Sequence, residues 1–151
     1  MKYSIYVLFL ILLTSATAMA ISDGEAARVK IFTGTASIIR QHQTFQVKKH
    51  DKIFKGDHLK TGSDGTLGII FKDNTALSLG PRSEIVIDDF LFAPAQGKLS
   101  IVTRMLRGTA AYLSGVIVKL SPRSARFETP SATVGVRGTR FLVESDGKEM
   151  E

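Results

Sequence analysis

Three histidines, His42, His50 and His58, recur at a spacing of eight residues in a polar, lysine-rich stretch. In antiparallel strands joined by turns, residues at that spacing can line neighbouring strands, and three converging imidazoles would bind zinc. Lys48, Lys49, Lys52 and Lys55 stand among them and oppose a cation, so the plainer reading is solvated loop histidines with no metal and no cofactor. The chain has no cysteine, which removes disulfides, thiol nucleophiles and thiolate metal ligation. The patterns G-x-S-x-G, H-E-x-x-H, G-x-x-x-x-G-K-[ST] and D-x-[DN]-x-[DN]-G are absent, and with them the commonest signs of hydrolase, metalloprotease, nucleotide and calcium chemistry. Glycoside cleavage wants two carboxylates at a set separation in a cleft. Asp51, Asp57, Asp64, Asp73, Glu84, Asp88 and Asp89 fall mostly in expected turns. No catalytic residue is expected, and a lytic or hydrolytic enzyme stands only as the alternative to a binding module.

Charge is more informative than any motif of that kind. From Lys98 to Arg140 there are eight basic residues against the single acid Glu128, whereas Asp51 to Gln96 holds seven acids and five bases. Arg104, Arg107, Lys119, Arg123 and Arg126 flank turns or occupy polar strand positions, and they are the expected surface for an anionic partner. Aromatic interleaving for base stacking is thin there, with only Tyr112, Phe127 and Phe141 and no Trp. A nucleic-acid partner is therefore not expected.

The elements that must position these residues follow from periodicity. Met1 to Ala20 reads MKYSIYVLFLILLTSATAMA: a short positive start at Lys2, an apolar run from Ile5 to Leu13, and a small-residue stretch ending Ala18-Met19-Ala20. That is the pattern of a signal peptide cut after Ala20. The alternative is an uncleaved anchor, since Tyr3 to Ile21 carries no charge and is barely long enough to span a bilayer. An exported chain of this kind, periplasmic or beyond, would meet lipid headgroups, envelope proteins with acidic faces and anionic envelope polymers. From Arg28 onward the pattern has period two, broken by Gly about every ten residues, as in short antiparallel strands. Leu67, Ile69 and Phe71 share one face, Asp73-Asn74 makes a turn, and Leu77 and Leu79, then Ile85 and Ile87, return. Leu99 to Leu106 fits a strand or a helical turn. Ala110 to Leu113, Val116 to Leu120, Ala125 to Thr129, Thr133 to Val136 and Arg140 to Glu144 complete about ten short strands. The expectation is a single all-β domain over residues 21–151, a β-sandwich or roll. Gly34-Thr35, Gly65-Thr66, Gly108-Thr109 and Gly138-Thr139 echo one another at intervals of 31, 43 and 30 residues. Unequal intervals argue against a solenoid, and local turn chemistry explains them.

The run Gly56-Asp57, Lys60-Thr61-Gly62, Gly65-Thr66, Phe71-Lys72-Asp73-Asn74, Leu77-Ser78-Leu79-Gly80-Pro81-Arg82-Ser83-Glu84-Ile85 is similar to the G-D-x-[IL]-x-T-G and D-G-[ST]-x-[LI]-x-[LI] phrases of the FecR domain family, with Asn74 where Gly is usual. Phe127 to Val143 is similar to F-x-[VI]-x-T-P-x-A-x-[VA]-x-V-R-G-T-x-F-x-V almost position for position. The resemblance covers Arg28 to Glu144. It implies an exported all-β sensing or binding domain. In signalling members that domain follows a cytoplasmic anti-sigma segment and a membrane helix, and relays the state of a TonB-dependent receptor. Residues 1–20 leave no room for such a cytoplasmic segment, so sigma-factor contact by this polypeptide is not expected. Thr129, Pro130, Arg137, Gly138, Thr139 and Phe141 are the family residues of the second block, and the physical reading gives them structural roles. Arg137, flanked by Val136 and Gly138, is expected to clamp backbone carbonyls, with ligand binding as the alternative.

Export makes a direct prediction. The protein recovered from the envelope fraction begins at Ile21 on N-terminal sequencing, whereas intact Met1 in a membrane fraction would establish the anchored form.

Overall fold

The computed structural model describes residues 24–147 except Thr139. The expected signal segment, residues 1–20, lies outside the described residues, as does Thr139 of the terminal block. Twelve strands form: β1 (Glu25–Thr33), β2 (Ala36–Arg40), β3 (Gln43–Gln46), β4 (Lys52–Phe54), β5 (His58–Thr61), β6 (Thr66–Phe71), β7 (Ala76–Leu79), β8 (Glu84–Ala93), β9 (Lys98–Leu113), β10 (Ala125–Thr129), β11 (Ala132–Gly135) and β12 (Arg140–Ser145). They make one curled sheet with the path β3-β2-β5-β8-β9-β7-β6-β1-β4. On it β10 and β12 add to the remaining edge of β9 and β11 pairs with β10. Among the described residues, every pairing is antiparallel except β10 on β9. The expected all-β domain of mainly antiparallel strands is thus the observed fold.

The registers show how the sheet closes over a core. Along one edge of β9, β7 pairs with residues 110–113 and β8 continues with residues 98–107. In the same way β6 and β5 run along β7 and β8, and β1 and β2 run along β6 and β5. Four long arms therefore lie side by side and bend together, at residues 34–35, 62–65, 80–83 and 108–109. The bend folds one sheet into two layers that face each other.

Backbone bonds stitch this crease from arm to arm. Gly62 N–H donates to Thr35 O (2.8 Å), Arg82 N–H to Gly62 O (3.0 Å), Thr61 N–H to Ser83 O (3.0 Å) and Gly80 N–H to Thr109 O (3.0 Å). Thr61 Oγ1 donates to Gly80 O (2.7 Å) and accepts from Ser83 N–H (2.9 Å). Buried Ser83 accepts from Thr109 N–H at its Oγ and donates to Thr109 O, both at 3.0 Å. Strands this close leave no room for a side chain at the bend. A Cβ on Gly65 would lie 2.0 Å from Thr35 O, and one on Gly108, whose φ is +96°, would lie 2.3 Å from Ser83 Oγ. Three of the four Gly-Thr pairs thus fall on this crease, so their echo has a tertiary cause and is not merely local turn chemistry.

Alternation fills the space between the layers. One layer contributes Val29, Leu67, Ile69, Phe71, Leu77, Leu79 and Tyr112, and the other Ile38, Leu59, Ile85, Ile87, Ile101, Met105 and Phe127, all buried. Phe71 meets Phe90 across the gap, with ring centroids 5.4 Å apart. Leu99 to Leu106 is strand, within a β9 that runs unbroken to Leu113. The expected break at Gly108 is a bend.

Val116 to Leu120 differs from expectation, forming a short helix, α1. Its β-branched residues favour a strand, but tertiary bonds override that preference. Asp73 accepts from Val116 N–H at its carbonyl (2.8 Å) and from Ile117 N–H at Oδ2 (3.1 Å), while Ile117 and Val118 are buried. Ala132 is exposed, and the inward position beyond that hairpin is filled by Val136.

Gly108→Ala combines left-handed strain with a clash against Ser83, and is expected to cost about 3 kcal/mol or more in urea unfolding. Gly135→Ala, where a Cβ meets nothing within 4 Å, should change stability by less than about 1 kcal/mol. Equal unfolding midpoints for the two variants would contradict the crease.

Candidate functional site

The acids that could serve chemistry are held in structural bonds. Asp57, wholly buried, accepts from Arg40 Nε at Oδ1 (2.7 Å), and from Arg40 Nη2 (2.6 Å) and Phe54 N–H (2.9 Å) at Oδ2. Arg40 Nη2 also donates to Lys52 O (3.0 Å), and its guanidinium lies 4.4 Å from the Phe54 ring centre. This pair ties the β2–β3 end of the sheet to the β4 end, and the Asp57 hydrogen bond raises the Arg40 pKa. Asp73, also wholly buried, takes Thr75 N–H at Oδ1 (3.0 Å) and Thr75 Oγ1 at Oδ2 (2.9 Å) besides its helix contacts. Glu84 sits among Lys60 (3.0 Å), Arg107 and His58 (3.5 Å). Burial works to raise its pKa, and the hydrogen bonds from Lys60 and Arg107 outweigh that and lower it.

The residues singled out from sequence are spread over several environments. Arg104 makes a two-pronged pair with Asp88 (2.9 and 2.8 Å), Arg107 is held by Glu84, and Arg126 lies 3.9 Å from Glu128. Lys119 at the end of α1 and Arg123 just beyond it are exposed, with no ion pair among the described residues. In the terminal block, Thr129 closes the two-residue β10–β11 turn through Pro130, accepting from Ala132 N–H at Oγ1 (3.0 Å). Gly138 O accepts from Ser114 Oγ, and Phe141 stacks on Tyr112 at 4.8 Å and meets Phe127 edge-on at 5.6 Å. Arg137 corrects the clamp reading: its side chain is exposed and bonds to no carbonyl among the described residues, because inward space at this point belongs to Val136. His42 and His50 occupy turns with positive φ and His58 lies in β5. Among the described residues, no group of three His, Asp or Glu is placed to hold a metal ion.

A basic margin escaped the linear reading. At the β1–β4 end of one layer, Arg28, Lys52 and Lys72 surround the buried Glu25, with Lys30 and Lys49 beside them. Glu25 pairs with Arg28 and with Lys52 (3.7 Å), and Lys72 lies near enough to help lower its pKa after the dominant Arg28 hydrogen bond. Two adjoining depressions of about 330 and 390 Å³ open there and share Lys30 and His50. Lys30 and Lys49 have no ion pair among the described residues. These cations come from three separate segments, 28–30, 49–52 and 72, so no window of sequence displays them together.

The chain belongs to the FecR family: the model of that family, described as FecR protein, matches residues 57–151. It is a family of non-enzymatic regulatory and signalling proteins associated with the cell envelope. No curated protein and no solved structure matches the chain. Residues 24–56, ahead of the match, are hydrogen-bonded into the same two layers. Among the described residues, no helix is long and apolar enough to cross a membrane.

The ion pairs set a pH dependence. Glu25, Glu84 and Asp89 have pKa values below the ordinary 4.5 and 3.8, Asp89 chiefly through its Lys55 hydrogen bond. Their stabilisation is complete above the ordinary values and is lost as the pH falls through the lowered ones. Burial pushes Tyr112 up to about 12 from 10.0, so stability present below pH 10.0 is lost as the pH rises toward 12. Melting temperature against pH should fall at both ends, with Glu84→Gln flattening the acid limb and Tyr112→Phe the alkaline limb. Unchanged limbs in both variants would contradict these assignments.

Proposed function

We propose that the protein is an exported, non-catalytic binding module of the cell envelope, which recognises an envelope protein or an anionic envelope polymer in sensing or signalling. The observation that carries this reading is the basic margin, where Arg28, Lys52 and Lys72 surround Glu25 and where Lys30 and Lys49, without an ion pair among the described residues, line the adjoining depressions. Such a concentration of one sign attracts anionic partners over about a Debye length, ~8–10 Å at ordinary ionic strength. Family membership supports the regulatory or signalling role, and the apolar, small-residue segment at residues 1–20 supports export. Lys119 and Arg123 extend the positive surface along the Lys98 to Arg140 stretch, whereas Arg104 and Arg107 are occupied by Asp88 and Glu84.

Retention on an anionic matrix tests this reading. Binding is expected to weaken steeply with salt, and Lys30→Glu with Lys49→Glu to abolish it. The set Arg104→Glu, Arg123→Glu and Arg126→Glu is expected to reduce it less. Both sets should leave the fold intact, since exposed substitutions seldom cost more than ~0.5 kcal/mol each. Retention that ignores salt and survives both sets would defeat the reading.

A further inference from the structure

The outward face of the layer β12-β9-β7-β6-β1 is apolar, and the registers place its residues in rows that cross five strands. One row runs Leu142, Ala111, Ser78, Gly68, Ile31, and the next runs Arg140, Leu113, Ala76, Ile70, Arg28. Leu142 is 78% exposed, Ile31 63%, Leu113 49% and Ile70 36%. Large apolar side chains thus stand on both flanks of a floor of small ones. A bulge in β1 adds Lys30 beside Ile31, and both are exposed. Beyond Ile31 and Ile70 lies the basic margin, and beyond Leu113 on the opposite flank lies Arg140. The face is about 19 Å across, four strand spacings.

Exposed apolar side chains framed by cations restrict what can cover this face. A second copy laid face to face would bring Arg28, Lys30, Lys49, Lys52 and Lys72 toward like charges. A hydrophilic polyanion would satisfy the cations and leave Ile31, Ile70, Leu113 and Leu142 in water. An anionic lipid surface satisfies both, because the phosphates meet the basic rim while the apolar side chains enter the boundary between headgroups and acyl chains. We infer that this outward face docks on an anionic phospholipid bilayer, with the Thr33-Thr66-Thr109-Glu144 side of the sheet turned away from it. The inference rests on the proposed anionic-partner reading and names its partner.

Flotation, with vesicles, of the exported form that begins at Ile21 tests it. Vesicles of equal parts phosphatidylethanolamine and phosphatidylglycerol should carry the protein, and phosphatidylcholine vesicles should not. Lys30→Gln with Lys49→Gln is expected to weaken partitioning about 25-fold, roughly fivefold per cation. Ile31→Ser with Leu142→Ser should weaken it about tenfold or more at constant salt, because the apolar contribution is lost. The same serine variant should bind a dextran sulfate matrix as the parent does. Retention on dextran sulfate with no vesicle binding, or vesicle binding that ignores the serine substitutions, overturns the lipid assignment and spares the anionic-partner reading. Failure on both supports overturns the two together.

Discussion

The glycine crease is the constraint on which the rest of the structure depends. Four arms must bend at one line, and they can do so only where backbones approach closely enough to exchange bonds across it. Thr61 and Ser83 supply the side-chain oxygens, while Gly65 and Gly108 supply the absence of a Cβ. The geometry then fixes the register of every arm, because each crease bond sets which residues lie opposite one another in both layers. A slip of one residue would turn Leu67, Ile69 and Phe71 to solvent and break the Gly62, Gly80 and Thr109 contacts at once.

Polar residues that look functional in sequence serve this scaffold instead. Asp57 and Arg40 join the two ends of the sheet, Asp73 builds the start of α1 and the turn before β7, and Ser83 pins the bend. A buried carboxylate bound by two or three donors has little capacity left to move a proton or hold a ligand. Charge outside these bonds consequently lies on the exterior. There the two layers differ: the β8–β9 face pairs its charges through Asp88, Asp89 and Glu84, while the opposite layer exposes an apolar floor with a cationic border.

Local signals were legible in the sequence and long-range ones were not. Period-two alternation identified the strands and their inward residues because pleating alone sets it, and the FecR phrases identified the family. Val116 to Leu120 was misread because its helix is imposed by Asp73, more than forty residues away. The role of Gly34, Gly65 and Gly108 was hidden because their intervals are unequal, although their positions in space align. Arg137 looked confined between Val136 and Gly138, yet Val136 and Arg137 both lie in the connection from β11 to β12, where Val136 is buried and Arg137 is exposed. The eight bases from Lys98 to Arg140 suggested a single surface. Pairing with Asp88 and Glu84 removes part of it, and the denser cluster assembles from segments that only folding brings together.

Native-state hydrogen exchange tests the central claim most directly. If the crease holds the two layers together, the amides of Thr61, Gly62, Gly80, Arg82 and Thr109 exchange only through global unfolding. Their opening free energies should then equal those of the central β7 and β9 amides. Crease amides that exchange through a lower-energy local opening, with β7 and β9 still protected, would contradict it.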